Sequence, residues 1–105
     1  VNELSDAAGT TRVAAEFGTS SITSQSFGTS FRMVDIAKLF MEQNKEVLFN
    51  DQMHHGYVLM TVGKDAVTTD LVSTEIDKKP YASSTIATWR VTPADGPGIG
   101  EIKKV

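Results

Sequence analysis

Apolar and polar positions alternate along this chain with two different periods. The longer period runs through residues 31–43 (FRMVDIAKLFMEQ). Met33, Ala37, Phe40, Met41 and then Asn44 follow i, i+4, i+7 spacing, and Val34 and Ile36 widen the stripe. Arg32, Asp35, Lys38 and Glu42 fall largely on the opposite side. The pattern predicts one amphipathic helix. Ser30 is the expected N-cap, its hydroxyl accepting a bond from a free N–H of the first turn, and Asn44 suits the C-terminal end. The stripe reads as a packing face rather than a cofactor-binding surface.

The shorter period predicts strands. Residues 12–17 (RVAAEF) form a short one. Tyr57–Val62 and Ala66–Thr74 are dense in β-branched and apolar residues, with Gly63-Lys64-Asp65 between them as a three-residue turn and Gly63 available for a positive φ. Val58, Met60 and Val62 share one face, and Tyr57, Leu59 and Thr61 the other. Apolar groups on both faces predict a central or doubly covered strand. In the next strand Val67, Thr69 and Leu71 share a face, opposite Thr68, Asp70 and Val72. The Asp77-Lys78-Lys79-Pro80 break precedes a third strand at 84–92, with Ala87, Trp89 and Val91 on one side and Ile86, Thr88 and Arg90 on the other. Trp89 and Tyr57 read as core or sheet-face aromatics.

The remaining segments are weaker signals. Residues 1–11 are polar and small. Residues 18–30 are a Ser/Thr/Gly-rich loop with a short extended piece at 21–23. Residues 45–53 read as a helical turn or an irregular connection that buries Val47, Leu48 and Phe49. The Pro- and Gly-rich tail at 93–105 reads as extended and irregular. The fold class expected is α+β: a short N-terminal strand (12–17), one amphipathic helix (31–43), a three-stranded antiparallel meander (56–92) and the tail (93–105), all within a single unit 1–105. No internal repeat is visible.

Composition narrows the classes of function. The chain has 105 residues and a net charge of -3, which suits one small domain. Basic residues never cluster beyond the pairs Lys78-Lys79 and Lys103-Lys104, so the electrostatic footprint of a nucleic-acid or anionic-membrane binder is missing. No apolar run approaches the ~20 residues of a membrane-spanning helix, and none resembles a signal-peptide core. Cysteine is absent, which removes disulfides, thiolate nucleophiles and Cys-based zinc sites from these residues. A first residue of Val rather than Met suggests a piece of a longer polypeptide.

Candidate chemistry was sought in the adjacent pair His54-His55. Neighbouring side chains on an extended strand point to opposite faces, so the two cannot share one metal well. The nearby Asp51 and Glu46 supply no ligand spacing. A Ser–His–Asp set can be drawn from Ser20, His55 and Asp70, but no G-x-S-x-G turn supports it. Gly18-Thr19-Ser20-Ser21 offers backbone N–H groups to an anion without the Lys or spacing of a P-loop. No local pattern suggests a pair of catalytic carboxylates. The residues alone therefore assign no catalytic, cofactor-binding or metal-ligating position.

Two stretches carry a family resemblance. RVAAEFGTSSITS (12–24) resembles the E-F-x-G-T-S-I-T-S segment of alkaline phosphatase D (PhoD-like) metal-dependent phosphoesterases. HHGYVLMTVGKDAVTTDLVSTEI (54–76), a Tyr-Ala-Ser-Ser link and TIATWRVTPADGPGI (85–99) are similar in order and spacing to that family's C-terminal end. The helix is the least matched part. The family pattern has an extra residue between Phe17 and Gly18, and commonly an Arg where this chain has His55.

The resemblance implies the C-terminal portion of a phosphomonoesterase or phosphodiesterase, a fragment that adds strands and a helix to a larger metallophosphatase sandwich. The family's metal motifs lie N-terminal to the E-F-G-T-S segment, and well-studied members use a cysteine ligand. The resemblance thus implies no cofactor in this chain, two or more metal ions (iron and calcium being the candidates) in the parent, and an isolated chain without activity. The partners implied are the N-terminal catalytic portion of the same polypeptide and, for the parent, a phosphate-ester substrate. Periplasmic or secreted localisation is the family expectation. Strands belonging to a larger sheet would leave apolar faces and an open edge, so the isolated chain is expected to be homo-oligomeric. The competing expectation is a stand-alone binding or accessory module that uses its Ser/Thr-rich loop as a contact surface.

Overall fold

The structure is a computed structural model that describes residues 1–24 and 35–105. Two antiparallel sheets and one short helix make up the described fold. Strands β1 (Asn2–Ser5) and β2 (Arg12–Glu16) pair as a hairpin. Asp6 closes the connection: its Oδ1 accepts the Thr10 N–H at 2.8 Å, and its own N–H donates to the Thr11 carbonyl at 2.9 Å. Helix α1 follows (Ile36–Gln43). Then β3 (Gly56–Val62), β4 (Val67–Thr74), β5 (Ser83–Pro93) and β6 (Ile99–Lys104) form a four-stranded meander in that spatial order.

Register explains where the core sits. Leu71 lies opposite Ala87, and Thr69 opposite Trp89. These positions share one face of the sheet, as the alternation predicts. Leu71, Ala87 and Trp89 form the buried cluster, with Phe17, Leu48, Phe49, Val58 and Ile102 packed against it. Phe49 meets Trp89 with ring centroids 6.3 Å apart and planes tilted by 57°, a favourable aromatic arrangement. The segment that delivers Leu48 and Phe49 has no regular structure. It is held instead by β1: Glu3 N–H donates to the Glu46 carbonyl at 2.8 Å, Leu48 N–H to the Val1 carbonyl at 2.9 Å, and Val47 bridges Asn2. The core also carries polar atoms at a cost: Thr69 Oγ1 and Trp89 Nε1 are buried without a hydrogen-bond partner among the described residues.

Several expectations are corrected. The tail at 93–105 is not irregular, because Ile99–Lys104 forms β6 and the meander has four strands rather than three. Gly98, at φ +91°, makes the turn that returns the chain. Residues 1–11 contain a strand, β1. Strand β3 lies at the sheet edge rather than centrally, and Tyr57, Leu59, Met60 and Val62 are all exposed. Gly63 does not use a positive φ; its N–H donates to the Ala66 carbonyl at 2.9 Å. Residues 22–24 form bends and not an extended piece.

The described helix begins at Ile36, where Asp35 is the N-cap and accepts the Lys38 N–H at 3.0 Å. Ser30 and residues 31–34 of the expected helix lie outside the described residues. Asn44 ends the helix as read, both its backbone N–H and its Nδ2 donating to the Phe40 carbonyl. In the described helix no residue is buried, and Leu39 and Phe40 are about half exposed.

Gly56 is a close-approach position. A Cβ there would collide with the backbone carbonyl of Val72 on β4. Gly56→Ala is therefore expected to destabilise the chain by about 1–3 kcal/mol through overpacking, measured as a lowered urea midpoint with an unchanged m-value.

Candidate functional site

A cleft of about 590 Å³ opens between the loop that follows β2 and the segment that leads into β3. Gly18–Ser21 form one wall, Asp51 and His54-His55 the other, and Leu71 and Ile86 contribute to its floor. The loop is positioned by hydroxyl groups that reach for backbone carbonyls. Ser20 Oγ donates to the His54 carbonyl at 2.8 Å. Thr19 Oγ1 is shared between the carbonyls of Gly56 and Ser20, both at 3.2 Å. Ser21 Oγ donates to the Ser24 carbonyl at 2.8 Å. The Thr19 and Ser20 hydroxyls hold the two walls together, the Ser21 hydroxyl bonds within its own loop, and each proton has an acceptor.

The two histidines turn to different partners. His54 Nδ1 donates to Asp51 Oδ2 at 2.8 Å, and His55 Nδ1 donates to the Ser21 carbonyl at 3.1 Å. Each contact fixes the ring nitrogen that carries the proton. The Ser20–His55–Asp70 set is not assembled. Ser20 is bonded to backbone, and Asp70 accepts from Thr88 Oγ1 at 2.5 Å on β5. Asp51 and His54 are bonded to each other, and no group of three His, Cys, Asp or Glu side chains able to hold a metal ion exists among the described residues. These residues do not fit a dinuclear metal centre.

Asp51 is the one site residue whose importance the sequence reading underrated. Its Oδ1 accepts the N–H groups of Met53 and His54, both at 2.9 Å, while Oδ2 holds the His54 ring. This is an Asx-type turn, in which the Asp side chain bonds the backbone N–H two residues on. Partial burial pushes the Asp51 carboxyl up, but the hydrogen bonds from His54 and Met53 outweigh it and hold the group below its ordinary value.

The sign of the resulting pH dependence follows. The stabilisation from Asp51 is complete above the ordinary carboxylate value of 3.8 and is lost as pH falls through the lower folded-state value. Urea midpoints followed from about pH 5 to about pH 2 should fall less steeply for Asp51→Asn than for the unmodified chain. At neutral pH Asp51→Ala, which removes every one of these bonds, should cost about 1–2 kcal/mol.

Comparison with known proteins gives one match. A family model described as PhoD-like phosphatase matches residues 1–71. The match takes in both sheet hairpin β1–β2 and the cleft walls at Gly18–Ser21 and Asp51–His55, and it reaches Leu71 on β4. No curated protein and no solved structure gives a match. With about two-thirds of its length matched, the chain belongs to the PhoD-like phosphatase family.

Proposed function

We propose that this chain is the C-terminal structural part of a metal-dependent phosphomonoesterase or phosphodiesterase, with the metal ligands carried by residues outside it. The observation that carries the reading is the family match over residues 1–71, which includes the walls of the cleft. Metal ions supply the chemistry in such a site by polarising a phosphoryl oxygen and activating a nucleophile. The chain's own role is scaffold. It adds strands to a larger sandwich and presents the loop Gly18–Ser21 as one wall beside the phosphate ester.

The internal bonding of the cleft supports a wall rather than a reactive centre. Ser20 is not activated by a base, and the His54 ring is held in place by Asp51. The same bonding argues against a contact module built on the Ser/Thr loop, because Thr19, Ser20 and Ser21 direct their hydroxyl protons inward.

Hydrolysis of p-nitrophenyl phosphate and bis-p-nitrophenyl phosphate separates the alternatives. The 105-residue chain is expected to give no turnover above buffer, with or without added iron or calcium. A longer polypeptide that contains upstream Asp, His and Asn metal motifs is expected to turn over at least one of the two esters. Metal-dependent turnover by the 105 residues at the rate of the longer protein would refute the proposal.

A further inference from the structure

The four-stranded sheet has two edges, and they are treated differently. Strand β6 carries Glu101, Lys103 and Lys104, and charged side chains discourage edge pairing. It is also covered: Arg12 on β2 donates through NH1 to the Gly100 carbonyl at 2.6 Å. Among the described residues, strand β3 has neither protection. GYVLMTV contains no charge and no proline, and its pairing with β4 runs without a bulge.

Hydrogen-bond parity shows which groups are open. Thr74 N–H donates to the His55 carbonyl, and Gly63 N–H to the Ala66 carbonyl. Odd-numbered residues of this strand therefore bond to β4, and the N–H and C=O groups of Gly56, Val58, Met60 and Val62 point away from the sheet. At Gly56 the outward carbonyl is taken by the Thr19 hydroxyl. Among the described residues, Val58, Met60 and Val62 remain as an open ladder of three residues.

We infer that β3 is a self-association edge that pairs antiparallel with β3 of a second copy, with Met60 on the two-fold axis. In this register Met60 faces Met60, and Val58 faces Val62, in both directions. Every open N–H and C=O of the three residues finds a partner, giving six new hydrogen bonds by the antiparallel pattern. The side chains of Val58, Met60 and Val62 come together on one face as apolar pairs, and Leu59 meets Thr61 on the other. Met60 is 49% and Val62 76% exposed in the single chain, so the contact removes apolar surface from water. No like charges meet, which matters for a chain of net charge -3. The occupant is a second copy rather than an open string of copies because β6, the other edge of this four-stranded sheet, is covered by Arg12. An isologous contact closes at two. The inference rests on the edge geometry of this chain and not on the family match.

Sedimentation velocity on the 105-residue chain should give a species of twice the chain mass of 11.4 kDa. Met60→Pro removes an N–H that faces away from β4, a position where an edge strand tolerates proline, and should yield a folded monomer. Met60→Lys places two like charges on the axis and should do the same. If Met60→Pro fails to fold by circular dichroism, Met60→Lys reads the same contact. The chain has no native cysteine, so single thiols report the register. Opposed residues 60 sit about 5.5 Å apart between Cα atoms, within disulfide reach, and Met60→Cys should cross-link under mild oxidant. Two residues 62 sit about 13 Å apart along the strands, and Val62→Cys should not. A wild-type monomer at several hundred micromolar would overturn the inference and leave the edge to a strand from elsewhere in a longer polypeptide. A dimer unaffected by both Met60 variants, or cross-linking that favours position 62, would also overturn it.

Discussion

The contact between Phe49 and Trp89 is the constraint on which the rest of the fold depends. A four-stranded sheet needs one face covered, and among the described residues no helix covers this one. A stretch without regular structure does so, by laying Leu48 and Phe49 over Leu71, Ala87 and Trp89. An irregular cover leaves backbone polar groups to be satisfied. Strand β1 satisfies them through the bonds of Val1, Asn2 and Glu3 to residues 46–49. The Lys104 ammonium from β6 adds a cation 5.0 Å from the Phe49 ring centroid, a modest attraction at a partly exposed site. Sheet, cover and hairpin are therefore one dependent set.

That dependence also builds the cleft. Covering the sheet with residues 46–50 brings Asp51–His55 past the loop that leaves β2, and the hydroxyls of Thr19 and Ser20 bind the two together. Close packing at Gly56 keeps the entry to β3 pressed against β4. The site is thus a by-product of how the cover is tied down. Its polar groups serve that tie.

The middle strands were legible in the sequence because their side chains face a real core. Thr69 and Leu71 alternate against Ala87 and Trp89 with period two, and register follows. Strand β1 was not legible, since NELS has a single large apolar residue and pairs for its backbone bonds. Strand β6 was hidden because Ile99 and Ile102 are three apart, a spacing that the register shift near Val91 and Pro93 accommodates. The position of β3 was misread because apolar residues on two faces look alike whether they are buried or unpartnered. The same ambiguity applies to α1, where periodicity identifies an apolar face but not what covers it. In the site, His54 and His55 lie just before β3 and turn to different partners, while the Asx turn at Asp51 was missed because it lies in a segment with no periodic signal.

Arg12 has a consequence for the order of events during synthesis. Its guanidinium joins Glu3, at 2.7 Å, to the Gly100 carbonyl, 88 residues further along the chain. Within these residues the hairpin that carries Arg12 is synthesised before its acceptor. At ~5–20 residues per second the interval is on the order of ten seconds. Early in that interval the hairpin has neither Phe49 nor the sheet to lie against, and its tie to β6 waits until Gly100 has been made.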